Sequence, residues 1–192
     1  MNQFAPLRDF IVDYTRLVTS ALPESETIAQ GRALLAKLLS TSAWLPADLA
    51  ATGPAYRQNL LHCDPLQRFS MVCFVWGPEQ RTLVHDHTVY GLIGLLRGRE
   101  IEQRYDRGTD GALTPTTRSV LTEGQTAFVS PSTCDLHRVS NGLDSDASIS
   151  IHVYGGNIGA ITRASYDEAT GAARSFISGY SNAWLPNIWN HG

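Results

Sequence analysis

Lysine is nearly missing from this chain: Lys37 is the single one among 192 residues, and the arginines are scattered. With a net charge of −3, no basic cluster offers a footprint for nucleic acid. Long apolar runs are also missing. The longest, 71–76 and 92–96, are strand-length and far short of a membrane span. Residues 1–7 hold no basic stretch followed by an apolar one, so no secretory signal is expected. Cysteine is sparse and odd in number (Cys63, Cys73, Cys134), which fits reduced thiols in the cytoplasm better than a disulfide framework.

What is present reads as globular. Hydrophobic residues make up 43% and charged residues 17%, a balance that excludes a disordered chain. The length predicts one domain over 1–192, able to bury a substantial core. Its parts are expected to be a helical layer at 1–54, a β-barrel at 55–155 and a C-terminal cover at 156–192.

Leu7, Phe10, Ile11, Tyr14, Leu17 and Val18 recur at helical spacing. Pro23 opens a second helical segment, with Ile28, Leu34, Leu35, Leu38 and Leu39 as its apolar face. From Tyr56 the period changes. Short apolar runs at 56–61, 69–76, 82–87, 92–96, 101–105, 119–121, 126–129, 137–139 and 149–154 alternate with Gly, Pro and Asn-Gly breaks. Many short strands at this spacing predict an antiparallel sandwich or barrel. The Gly- and Ser-rich tail beyond Gly155 reads as an irregular cover, packed by Trp184 and Trp189.

Six histidines occur, at 62, 85, 87, 137, 152 and 191. His85 and His87 are separated by one residue. On a strand they point to one face while Asp86 points away. Two imidazoles there can reach one metal, and His137 is the best candidate for a third ligand from a neighbouring strand. His191 is terminal and expected to be free. Cys63, Cys73 and Cys134 read as small hydrophobes, and Trp76 as core.

Gly77, His85, His87 and Gly98 follow the first cupin motif, and Gly124, Pro131, His137 and Asn141 follow the second. The Glu of the first motif falls at Gly91, so its fourth ligand is missing. Three neutral imidazoles leave an octahedral metal open, as in iron(II) oxygenases, and favour an anionic ligand such as a thiolate. Zinc also accepts three His and a water.

Tyr56-Arg57-Gln58-Asn59, His85-Asp86-His87-Thr88, Leu136-His137-Arg138-Val139 and Ser150-Ile151-His152-Val153-Tyr154 give the chain its sharpest likeness. It resembles the thiol dioxygenases, the family that includes cysteine dioxygenase, over roughly 56–154. The resemblance implies a mainly β, cupin-type antiparallel barrel (jelly roll) with N-terminal α-helices, and iron(II) held by His85, His87 and His137. Ser150, His152 and Tyr154 alternate on one strand face, and the resemblance places the Tyr154 hydroxyl beside the iron with His152 orienting it.

Two departures from the mammalian-type pattern bear on substrate. Gln58 matches the Arg that binds the substrate carboxylate in that type. Gly91 matches, with a one-residue gap, the Cys that crosslinks to the active-site Tyr, so no crosslink is expected. The pattern is similar to a bacterial Gln-type subgroup that prefers 3-mercaptopropionate. Arg163 is then the expected carboxylate partner. The implied reaction adds dioxygen to the sulfur of a small thiol acid, giving a sulfinic acid. Cysteine as substrate stays open, as does a non-oxidative metal-binding cupin acting as sensor or isomerase. Neither a nucleic-acid nor a membrane partner is expected, and the chain reads as a monomer or weak homo-oligomer.

Overall fold

The computed structural model describes residues 3–133 and 135–189, so the readings of Cys134 and His191 lie outside the described residues. Two helices come first, α1 (Ala5–Thr19) and α2 (Glu24–Leu38). Helix α1 buries Leu7, Phe10, Ile11, Tyr14 and Leu17, the stripe set by 3.6-residue spacing. Pro at its first turn costs no hydrogen bond, because that N–H has no helical partner. Helix α2 starts at Pro23, with Glu24 and Glu26 in its first turn complementing the helix dipole.

Eleven strands follow among the described residues. One sheet holds β1 (Arg57–Cys63), β2 (Ser70–Trp76), β9 (Ser148–Tyr154), β4 (Gly91–Arg97) and β7 (Thr126–Val129), in that order. The other runs β11 (Ala173–Phe176), β10 (Arg163–Tyr166), β3 (Val84–His85), β8 (His137–Asn141), β5 (Arg99–Arg107) and β6 (Leu113–Thr122). Every pairing is antiparallel. This is a mainly β, cupin-type double-sheet barrel with an N-terminal helical layer.

Strands β2 and β9 are buried along their whole length, because the first sheet is covered on both faces. Met71, Cys73, Val75, Ile149, Ile151 and Val153 pack with the helices. Val72, Phe74, Trp76 and Tyr154 form a second cluster with Val139 of the opposite sheet. Alternation therefore sends one set outward to the helices and the other inward, where His152 and Ser150 also point.

Two expectations need correction. The segment beyond Gly155 is not irregular: β10 and β11 form a hairpin, and β10 pairs with β3 through Ser165↔His85 and Tyr166↔Val84. Nor do Trp184 and Trp189 pack it, since they are 86% and 62% exposed. Ile158, Tyr166, Tyr180 and Ile188 are among the residues of this segment that reach apolar clusters. Among the described residues, no helix is long and apolar enough to cross a membrane.

Candidate metal centre

His85 ends β3, His137 begins β8, and the two are direct partners in the ladder. His87 lies just past β3. The next residue, Thr88, turns the chain with φ +60°, a left-handed conformation unusual for a β-branched residue. The three rings converge, with centroids 4.7, 4.8 and 4.9 Å apart. One nitrogen from each lies within 4.8 Å of the others.

Hydrogen bonds select which nitrogen that is. His87 Nδ1 lies 2.7 Å from Asp135 Oδ1, His137 Nδ1 2.8 Å from Glu102 Oε1, and His85 Nδ1 3.0 Å from the Leu83 carbonyl. Each of these partners accepts, so each ring carries its proton on Nδ1 and turns a bare Nε2 lone pair inward. Asp135 also accepts from the backbone N–H groups of His87 and Thr88. Burial is the main force holding His85 and His87 neutral, with their pKa well below the ordinary value, and the neighbouring rings add to it. Three rings pinned from outside at Nδ1, with Nε2 turned inward, are the donor set a divalent metal needs.

Tyr154 stacks on His87, with centroids 5.6 Å apart. Its hydroxyl lies 2.9 Å from His152 Nδ1, and His152 Nε2 lies 2.9 Å from Ser150 Oγ. Burial, reinforced by His137, lowers His152 to about 3. Burial raises Tyr154 well above its usual range, although Arg163 opposes it. The imidazole is therefore neutral and the phenol protonated at pH 7. Gly91 lies behind this phenol: a Cβ there would come within 2.9 Å of the ring. Without a thiol at 91, no sulfur is present there to crosslink.

A cleft of about 280 Å³ reaches the trio at His85, with Tyr154, Gln58 and Arg163 also in its wall. Arg163 is 6% exposed and lies over the Phe176 ring, 4.6 Å from its centroid. It donates 2.7 Å to Ser178 Oγ, while its Nε has no partner. No carboxylate among the described residues pairs with it. Gln58 donates to the same Ser178 Oγ and to the Gly179 carbonyl. Arg57 points elsewhere, onto the Asp48 and Ala51 carbonyls. His62 lies against Phe69, away from the cleft lining.

Sequence reasoning missed Asp135, Glu102, Ser178 and the role of Asp86. Asp86 does point away from the trio, but its carboxylate takes the Ala164 N–H and the Tyr166 hydroxyl. It thereby ties the metal loop to the strand that carries Arg163. The available signal was that Asp86 and Asp135 both lie within two residues of a candidate ligand.

The fold and the site together define a cupin-type barrel with three imidazoles that could hold a metal. Residues 54–168 match the family described as Cysteine dioxygenase type I, and the chain belongs to that family. Cysteine dioxygenase type 1 of Danio rerio is 31% identical over 103 residues, 52% of this chain and 50% of the relative. The chain thus matches about half the length of that curated relative. Among solved structures, a protein with a double-stranded β-helix domain from Klebsiella pneumoniae has a TM-score of 0.43 at 18% identity, covering 60% of this chain and 91% of that one. A cupin superfamily protein from Desulfitobacterium hafniense has a TM-score of 0.44 at 10% identity, covering 60% and 86%.

Proposed function

We propose that the chain is an iron(II)-dependent thiol dioxygenase of the bacterial Gln-type subgroup, working in the cytoplasm on a small thiol carboxylic acid, 3-mercaptopropionate first. The observation that carries the substrate class is the buried Arg163 guanidinium, which has no acidic partner yet forms part of the wall of a cleft containing His85. An unpaired buried cation is costly, and an incoming carboxylate offsets that cost.

His85, His87 and His137 would hold the metal through Nε2. Bound there, iron(II) supplies a redox-active Lewis acid for dioxygen and the substrate sulfur. Arg163 pairs with the substrate carboxylate. Ser178 Oγ already accepts from Arg163 and Gln58, so its own proton is free to donate to the same carboxylate. Gln58 thus acts by fixing Ser178, and Tyr154 presents its hydroxyl beside His87. Phe74 adds an apolar wall that limits water.

The preference for an amine-free acid follows from Gln58 standing in the cleft while Arg57 is tied to carbonyls outside it. Anaerobic loading with iron(II), followed by oxygen uptake with a panel of thiols, tests the reading. Stoichiometric conversion to sulfinic acid is expected, with kcat/KM for 3-mercaptopropionate at least tenfold above that for cysteine. No uptake with any thiol acid sinks the activity, and a preference for cysteine sinks the substrate assignment. Arg163→Ala should raise KM at least tenfold through the lost charge-assisted pair.

A further inference from the structure

One buried acid is left over by this account. Glu100, on β5, is 2% exposed, and neither carboxyl oxygen has a full hydrogen bond. It faces the Ser150 hydroxyl and the Trp76 indole, both of which pull its pKa down. Burial wins against them and lifts it to about 8. Ser150 is also the far end of the hydrogen-bonded chain that starts at the Tyr154 hydroxyl.

Counting donors allows one continuous polarity along that chain. Trp76 Nε1–H donates to Ser150 Oγ at 3.4 Å, and indole nitrogen can only donate. If His152 Nε2–H fills the second lone pair of Ser150, the serine proton turns to the remaining acceptor, Glu100. His152 Nδ1 is then bare and accepts from Tyr154. With that tautomer, every donor in the row points from the cleft toward Glu100.

Beyond Glu100 lies a cavity of about 20 Å³, bounded on its polar side by Glu100, Glu102 and Ser119 and otherwise by Ile93, Leu121, Ala127 and Val139. Its size suits one water molecule. Ser119 is exposed on the edge strand β6 and donates to Glu102 Oε2 at 3.1 Å. Across this cavity from Glu100, Glu102 and Ser119 lead to the surface at the edge strand.

We propose that Glu100 is the outlet of a proton path running Tyr154–His152–Ser150–Glu100 and thence through this cavity to solvent. The proposal rests on the dioxygenase reading, which creates the need. A thiol acid loses its S–H proton, two S–O bonds form, the O–O bond breaks, and sulfur gives up the four electrons that dioxygen takes. The sulfinate product is an anion at neutral pH. One proton is thus released per turnover, and the Tyr154 hydroxyl, in the wall of the cleft, is where the row begins. Glu100 is a positioning residue: it acts through Ser150 and His152 and touches no substrate.

The titratable groups around Glu100 are Cys73 on β2, His152 and Tyr154 on β9, and Glu102 on its own strand. Its ladder partners Asn141 and Leu121 carry no charge. Burial lifts Cys73 to about 12. Burial also pushes Glu102 up, but its hydrogen bond with His137 and its contact with Arg104 outweigh that and hold it below the ordinary carboxylate value. Glu100 alone of this group has its midpoint near 8, and a carrier near the working pH both takes and releases a proton.

Glu100→Gln and Glu100→Asp test the path. In metal-free wild type, the ring-nitrogen NMR resonances of His152 should move with a midpoint near pH 8, and in Glu100→Gln they should stay flat there. In the iron-loaded enzyme with 3-mercaptopropionate, Glu100→Gln should lower kcat at least tenfold with KM within twofold. It should also abolish the kcat limb near pH 8 and enlarge the solvent deuterium isotope effect. Glu100→Asp should recover part of kcat. A His152 signal indifferent to pH in wild type overturns the path, as does a Glu100→Gln enzyme with wild-type kcat, pH profile and isotope effect. If wild type oxidises no thiol acid while the His152 shift is intact, the dioxygenase reading and the outlet role fail and the Glu100–His152 connection stands.

Discussion

At the scale of single residues, the centre depends on protons held outside it. Each ligand ring is tautomerically fixed by an acceptor on its Nδ1: Asp135, Glu102 and the Leu83 carbonyl. Asp135 alone takes three donors, one ring and two backbone N–H groups. Removing it as Asp135→Ala frees the His87 ring and the strained turn at Thr88 together. The expected loss is about 10- to 100-fold in metal affinity, read by chelator competition, with the far-UV spectrum unchanged. Undiminished affinity would show that the turn holds His87 without the carboxylate. Glu100 allows a second residue-scale prediction, on stability. Its folded pKa of about 8 lies above the ordinary 4.5, so the folded chain binds the extra proton inside that window. Stability from this group therefore falls as pH rises from 4.5 to 8. Glu100→Gln lacks the titration, so its stability relative to wild type should rise across the window, by at most roughly 5 kcal/mol. Urea unfolding at pH 5 and pH 9 checks this, and a pH-independent difference would mean that the acid is not buried in solution.

At the scale of elements, the strands that carry the converging histidines were legible and the strand beside them was not. His-x-His at the end of an apolar run and the alternating Ser150, His152 and Tyr154 announce themselves through a period of two. The sequences of β10 and β11, Arg-Ala-Ser-Tyr and Ala-Arg-Ser-Phe, contain too few apolar residues to show any period. They exist because β3 offers an edge and Asp86 fastens β10 to it. Glu102 and Ser178 were illegible, and the partner of Asp135 was hidden, for a related reason. Asp135 is 48 residues from the ring it serves and Ser178 is 120 from Gln58, so only the folded barrel brings them together. Asp86→Ala should release two hydrogen bonds on β10, one from the Ala164 N–H and one from the Tyr166 hydroxyl. At about 1 kcal/mol each, the Arg163 strand loosens, and KM for the thiol acid should rise about tenfold with metal content kept. An unchanged KM would show that pairing with β3 suffices to place Arg163.

At the scale of the whole molecule, the first sheet separates two jobs. Its outer face meets the helices and its inner face meets the metal centre. The helices come close because glycine faces them: a Cβ on Gly94 would meet Leu39 at 2.7 Å and Leu35 at 2.9 Å, and one on Gly31 would meet Leu92 at 2.7 Å. Leu35 and Leu39 are themselves buried, at 0% and 6% exposure, so they have little space to withdraw into. Gly94→Val should overpack this layer at a cost of about 1–3 kcal/mol, lowering Tm by about 2–10 °C. The strain falls on the helical side. Ile93 and His152, paired across the ladder, keep their backbone positions if the sheet is stiff. Metal affinity and kcat per folded molecule should then stay within twofold of wild type. A matching fall in kcat, with the protein fully folded at the assay temperature, would mean instead that the helical layer shapes the cleft through the sheet.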